Sequence, residues 1–337
     1  METGIRNLAS IQIIADLQPI PNADAIEVAT VLGWKLVVKK GEFSVGDQCV
    51  YFEIDSLLPV RPEFEFLRPS SFKESLGKFR IKTVKLRGQI SQGICFPKSL
   101  FTELENAQVG DDVTEIMGVE KYEVPTDIPN EAKGNFPTFI PKTDEPRIQA
   151  HPGILERHKG VQCDAHVKLD GSSLTAYYKD GTFGVCSRNL ELKESNSKYW
   201  AICRKYGLPE KLADLNRNIA LQGELVGEGI NGNRQKLYGF DLYIFSGYDI
   251  DKGEYLTPIQ LDVICIDLGL KRVPHVAEFD LNHSVDELIQ LSEGNCGIND
   301  CLREGIVVRS MKNVYDPKVG RLSFKVINPK YLLKHND

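Results

Sequence analysis

Several features that would classify a chain quickly are missing from this one. Its 337 residues contain no apolar run long enough to cross a bilayer. The opening Met-Glu-Thr-Gly-Ile-Arg is acidic at its second position and lacks the basic-then-apolar layout of a signal peptide, so an intracellular protein without membrane attachment is expected. Positive charge is not in excess. The 41 lysines and arginines meet 47 aspartates and glutamates, a formal net charge of −6, which excludes a protein that coats nucleic acid by bulk charge alone. The cysteines at 49, 95, 163, 186, 203, 265, 296 and 301 show no Cys-x-x-Cys spacing. Neither a zinc site nor a disulfide framework is indicated, and most are expected to be buried and reduced. Internal repeats and low-complexity tracts are absent.

What remains is the composition of an ordinary globular protein, 42% hydrophobic and 26% charged, with length enough for two domains. Residues 8–120 read as mostly β. An apolar run at 11–14 is broken by Pro19, Pro21, Asn22 and Asp24; a strand at 31–39, interrupted at Gly33, and another at 49–54 have hairpin spacing. Short strands separated by turn signals suggest a small antiparallel barrel. Residues 78–87, Lys-Phe-Arg-Ile-Lys-Thr-Val-Lys-Leu-Arg, read as one strand with Lys78, Arg80 and Lys82 on one face. Such a face is either simply solvated or a phosphate-contacting surface.

Between 118 and 146 stand Pro125, Pro129, Pro137, Pro141 and Pro146 among polar residues, a composition that favours neither helix nor central strand. The expected division is therefore a first domain at 1–120, a Pro-rich linker at 121–146 and a second domain at 147–337. In the latter, helical spacing of aromatic and apolar residues predicts helices at 196–206 and 286–292.

The second domain is organised around residues 163–173, Cys-Asp-Ala-His-Val-Lys-Leu-Asp-Gly-Ser-Ser. Apolar and polar residues alternate up to Val167, and the chain then meets a turn-forming Asp-Gly pair, which places Lys168 at a strand's end. Asp170 shares the face of Lys168 because side chains alternate with period two. The pair is either an exposed lysine beside a hairpin turn or a nucleophile with its partner carboxylate. Downstream, further strand-like stretches carry polar or aromatic groups: Ser187-Arg188-Asn189, Gly223-Glu224-Leu225, the run 241–245 ending in Phe245, Glu304-Gly305-Ile306-Val307-Val308, and Ser323-Phe324-Lys325-Val326-Ile327.

This order resembles the covalent nucleotidyltransferase superfamily, the ATP-dependent DNA and RNA ligases and mRNA capping enzymes, whose signature is Lys-x-Asp-Gly followed by four further motifs. It is most similar to RNA ligases with an N-terminal OB-fold domain, which also contain a Pro-Lys-Thr-Asp-Glu-Pro-Arg-Ile-Gln-like segment, here at 141–149. The resemblance implies an α+β protein, an OB-fold β-barrel followed by an ATP-grasp-like nucleotidyltransferase domain of antiparallel sheets with flanking helices. It implies Lys168 as the nucleophile that takes AMP from ATP, with Asp170 and Lys325 as catalytic partners. Arg147, Gly171, Glu224, Phe245 and Lys325 would bind the nucleotide, Glu224 at the ribose and Phe245 on the adenine. Asp170, Glu224 and Glu304 would hold Mg²⁺ or Mn²⁺. Arg188, with Lys78, Arg80 and Lys82, would contact RNA or an RNA-containing nicked duplex, the enzyme working as a monomer. The family's second lysine, two residues after Lys325, is replaced here by Ile327. A DNA ligase on the same core and an inactive nucleic-acid-binding relative are the alternatives.

Overall fold

The computed structural model describes residues 6–123 and 131–335. The leader reading at residues 1–5, and Pro125 and Pro129 of the predicted linker, lie outside the described residues. The chain forms two compact units, one made of residues 1–125, 148–152 and 329–337, the other of 126–147 and 153–328. Residues 131–147 thus pack as part of the second unit. No helix among the described residues is long and apolar enough to cross a membrane.

The first unit contains β1 (Ala9–Pro19), β2 (Ile26–Val31), β3 (Trp34–Lys39), β4 (Gln48–Phe52), β5 (Ser56–Leu58), β6 (Phe72–Lys73), β7 (Lys78–Arg80), β8 (Thr83–Leu86), β9 (Gln89–Gln92), β10 (Ile94–Pro97) and β11 (Glu120–Lys121). Its main sheet runs β10-β4-β1-β2-β3. The first half of β1 pairs with β4 and the second half with β2, with an irregularity between Ile14 and Asp16. Such a bulge bends one strand around two neighbours, as a barrel requires. Phe52, Phe64, Phe96 and Phe101 interlock at its centre; the Phe52 and Phe64 rings meet edge-on with centroids 5.5 Å apart.

Two local expectations are corrected. The strand expected at 31–39 is a hairpin of β2 and β3 turning at Leu32 and Gly33, and β3 does not pair with β4, whose partners are β1 and β10. The single basic strand expected at 78–87 is two: β7 pairs with β5 and β6, whereas β8 pairs with β9 in a separate ribbon. Phe79, Arg80 and Ile81 are all buried, so the alternation does not yield one exposed basic face.

The second unit contains β12 (Ala132–Asn135), β13 (Gln162–Lys168), β14 (Ser172–Lys179), β15 (Thr182–Cys186), β16 (Leu190–Leu192), β17 (Ile219–Gly227), β18 (Phe240–Asp249), β19 (Glu254–Tyr255), β20 (Lys271–Arg272), β21 (His275–Asp280), β22 (Gly305–Ser310), β23 (Tyr315–Asp316), β24 (Gly320–Arg321) and β25 (Ser323–Ile327). A large, mostly antiparallel sheet runs β12-β16-β15-β14-β17-β18-β19, and a four-stranded antiparallel sheet runs β21-β13-β22-β25. The helices Lys198–Lys205, Leu208–Asp214 and Pro258–Leu268 cover one face of the large sheet through Trp200, Ile202, Leu212 and Leu261. On the other side, Val167 and Leu169 of the small sheet's strand and its exit pack with Val226 of β17 and Tyr243 of β18. That cluster sets the end of β13 against the large sheet.

The helices expected at 196–206 and 286–292 are present as Lys198–Lys205 and Val285–Ser292. The helix Pro258–Leu268 was not anticipated, although Thr257 and Gln260 form a capping box and Gly269 ends it at φ 64°. Six cysteines are free and buried, as expected, but Cys296 and Cys301 form a disulfide with Cα atoms 5.8 Å apart. The chain turns back between them, Asn295 pairing with Leu302, which a spacing of five does not reveal.

Candidate active site

Lys168 is the last residue of β13 and lies opposite Gly305, the first residue of β22. The next strand crowds that junction: a Cβ on Gly305 would lie 2.2 Å from the Val326 carbonyl oxygen, so only glycine lets β25 approach so closely. This packing brings Glu304, just before β22, to the nucleophile candidate, and Lys168 Nζ donates to Glu304 Oε2 across 2.6 Å. The lysine side chain keeps 27% of its surface open.

The Asp-Gly turn is equally confined. A Cβ on Gly171 would meet the Leu225 carbonyl oxygen at 2.4 Å and Glu224 Cγ at 2.9 Å, so the turn lies directly across β17. Asp170 Oδ1 accepts from Asn231 Nδ2 at 3.1 Å, its carbonyl accepts from Gln235 Nε2 at 3.0 Å, and Arg234 Nε stands 3.9 Å from Oδ2.

The charges of Lys168, Asp170, Glu224 and Glu304 act on one another strongly. Burial works to lower the Lys168 pKa, but Glu304, Glu224 and Asp170 together outweigh it and hold the ammonium above the usual lysine value. Burial pushes the Glu224 carboxyl up to about 8, with Lys168 opposing that shift and Glu304 and Asp170 adding to it. Burial also raises Glu304, again against Lys168. The structure thus gathers the carboxyl groups of Glu304, Glu224 and Asp170 around the Lys168 ammonium.

Phe245 occupies a bulge. Gln222 faces Ser246 and Gly223 faces Ile244, which leaves Phe245 without an opposite residue on β17. Its ring joins the cluster of Val167, Leu169 and Val226, and the Arg309 guanidinium lies 5.6 Å from its centroid. Arg309 Nη2 donates to Glu145 at 2.9 Å. The neighbouring Arg147 bridges to Lys325 along β25, and the Lys325 amide donates to the Pro146 carbonyl at 2.8 Å. The 145–147 segment, β13, β17, β18, β22 and β25 thus bring Arg147, Lys168, Asp170, Gly171, Glu224, Phe245, Glu304 and Lys325 into one unit. Ile327 is only 4% exposed and pairs with Gly305, so its place is filled by packing.

The residues expected at nucleic acid are differently placed. Arg188 is exposed and ion-paired to Asp144. Lys78 pairs with Glu120. Arg80, only 7% exposed, corrects the expectation of a solvent-facing contact: its guanidinium stacks 3.6 Å from the centroid of Tyr122 and is turned to internal packing. Lys82 is half-buried, while Lys85 and Arg87 of the adjacent ribbon are exposed.

Residues 8–98 match a family model described as an OB-fold domain, and residues 165–327 match one described as RNA ligase. A comparison with curated protein sequences found no match. Among solved structures, a Naegleria gruberi RNA ligase with PPi is similar at 43% identity and a TM-score of 0.91, over 99% of this chain and 100% of the other. A lysine-to-alanine variant of the Naegleria enzyme with ATP and Mn matches at 42% identity and a TM-score of 0.91, over 98% of this chain and 99% of the other. A glutamate-to-alanine variant with AMP and Mn gives the same identity, coverage and TM-score. The chain belongs to the RNA ligase family. The ligase has an N-terminal OB-fold domain and then a mostly antiparallel domain with few helices.

Sequence reasoning did not identify Asn231, Arg234 and Gln235, which fix Asp170 in the ligase, or the Glu145–Arg309 pair beside Phe245. A signal for the first group was there: the run Asn231-Gly232-Asn233 is turn-forming, and both asparagines adopt positive φ.

Proposed function

We propose that this ligase joins a 3′-hydroxyl to a 5′-phosphate at nicks in RNA-containing duplexes, as a monomer, using ATP through a lysyl-AMP intermediate. The observation that carries the reading is Lys168 at a strand end, hydrogen-bonded to Glu304 and flanked by Glu224 and Asp170. The Naegleria enzyme's structures with ATP, AMP, PPi and Mn support ATP and a divalent ion as its requirements.

The donor set fits Mg²⁺ or Mn²⁺. Three carboxyl groups offer hard oxygen ligands around one ammonium, and burial, which raises Glu224 and Glu304, disfavours their charged forms until a cation is bound. Asp170, Glu224 and Glu304 would hold the ion, which would supply positive charge to offset the charge building on the α-phosphate. With the carboxylates so engaged, Lys168 would lose the partners that hold its proton, release that proton to water and react as the amine. Its Nζ attacks the α-phosphorus: the N–P bond forms and the bond to pyrophosphate breaks. Lys325 and Arg147 meet the phosphate, Phe245 stacks on adenine, and Glu224 also holds the ribose. AMP then passes from Lys168 to the 5′-phosphate, and the 3′-hydroxyl displaces it.

Duplex binding is assigned to Lys78 and Lys82 of the OB-fold domain and to Arg188, through the backbone rather than base edges. The domain division proposed from sequence serves this split, with residues 1–120 for nucleic acid and 147–337 for adenylylation. Nicked duplexes with RNA or DNA on the 3′-hydroxyl side test the proposal. Sealing of the RNA-terminated nick is expected, and sealing confined to DNA-terminated nicks would contradict it.

A further inference from the structure

β21 and β13 carry a second cluster of ligand-type side chains, upstream of the nucleophile. Asp164 lies directly opposite Glu278 and His166 directly opposite His275. By simple alternation His275 and Glu278 would point to opposite faces, but β21 is bulged at Val276, which returns His275 to the face of Glu278. Like charges directly across a sheet are destabilising, and here one of the two carboxylates, Asp164, is only 4% exposed. Its Oδ1 is buried without a hydrogen-bond partner; His275 Nε2 is 3.2 Å from it, outside hydrogen-bonding geometry. A cavity of about 480 Å³ opens in front of these groups, and Arg272, its one lysine or arginine, donates to Asp262 at 2.8 Å.

We propose that Asp164, His275 and Glu278 bind a divalent transition-metal ion of the zinc class, distinct from the ion of the adenylylation site. One donor atom from each residue lies within 4.8 Å of the others. A tetrahedral zinc with bonds of about 2.1 Å places its donors about 3.4 Å apart. The Asp164–His275 pair already meets that spacing, and exposed Glu278 closes the remainder by rotation of its side chain. One imidazole with two carboxylates is a zinc-type set rather than a magnesium one, because magnesium prefers oxygen alone and keeps its waters. His166, whose Nδ1 is 3.4 Å from Asp164 Oδ2, stands where it orients that carboxylate. Lys168 stands four positions after Asp164, roughly 13 Å along the strand. The ion therefore clamps the edge strand β21 to the strand that carries the nucleophile, and takes no part in the chemistry. The proposal does not depend on the ligase reading.

The test is zinc titration of the chelator-stripped full-length protein against a chromophoric competitor, with Mg²⁺ in excess, repeated for His275→Ala and Glu278→Gln. Wild type is expected to take up one tight equivalent, and Co²⁺ in its place to give the visible absorption of a low-coordinate nitrogen and oxygen site. Both variants should weaken zinc by at least the roughly 10–100-fold that losing even an outer-shell partner costs, with circular dichroism and adenylylation unchanged. Absence of a tight equivalent in wild type, which would leave only the contact of His275 with Asp164, overturns the proposal. So does zinc affinity unchanged in both variants.

Discussion

Lys168 Nζ and Glu304 Oε2 are 2.6 Å apart, so the proposed nucleophile rests as a charged ammonium held by the group expected to bind metal. In the proposed mechanism, the carboxylate that engages the ion is the one that holds the lysine's proton without it. Adenylylation should then respond to metal through pH. The apparent pKa of the rate against pH is expected to fall as Mg²⁺ rises from limiting to saturating, when single-turnover rates are followed across the pH range. A pKa independent of metal concentration would separate the two residues' roles. Glu304→Ala should slow the step by about 100-fold or more, since several kcal/mol of charge stabilisation depend on the ion.

Glu224 makes a prediction for the metal-free protein. Its carboxyl titrates at about 8 when folded against 4.5 as a free side chain, so between those values the folded state binds the extra proton. Its contribution to stability is full below pH 4.5 and is lost as pH rises towards 8. His166, which burial pushes down to about 3, acts oppositely, adding stability up to its ordinary value of 6.5. Between pH 6.5 and 8 the His166 contribution is complete while that of Glu224 is still falling. In chelator, wild-type Tm should fall across that range, and Glu224→Gln should flatten the fall.

Gly171 is fixed by contact rather than by backbone conformation. Gly171→Ala puts a methyl group 2.4 Å from the Leu225 carbonyl oxygen, so the turn must move away from β17. A loss of about 1–3 kcal/mol in denaturant unfolding is expected, the usual range for overpacking, together with loss of adenylylation. Full activity would mean the turn is not held against β17.

The sequence made the Lys168 turn and the order of the motifs visible because both are local: an alternating strand, an Asp-Gly pair and residue types at fixed spacing. The carboxyl groups of Glu224 and Glu304 were grouped around Lys168 only through the family resemblance, because they reach it from β17 and the start of β22 through pairing that no local pattern encodes. Phe245 was legible as an aromatic on a strand, but not as a bulge residue. The basic run at 78–87 misled because alternation reports one buried face, whereas β7 is buried at Phe79 and Arg80 alike and ends before β8 begins.

That error leads to a separation of roles. Arg80→Ala should lower the Tm of the protein, through loss of its stacking on Tyr122, and leave the salt dependence of RNA binding unchanged. Removing exposed Lys85 or Arg87 should instead lower the slope of log affinity against log salt by about one each if they meet phosphate. Binding isotherms at several salt concentrations check both.

The most direct test of the account is covalent labelling. Wild-type protein incubated with ATP labelled at the α-phosphate and Mg²⁺ should acquire one AMP, and peptide mapping should find it on Lys168. Lys168→Ala, verified as folded, should acquire none. Equal labelling of the two proteins, or AMP found on another residue, would contradict the assignment of Lys168 as the nucleophile.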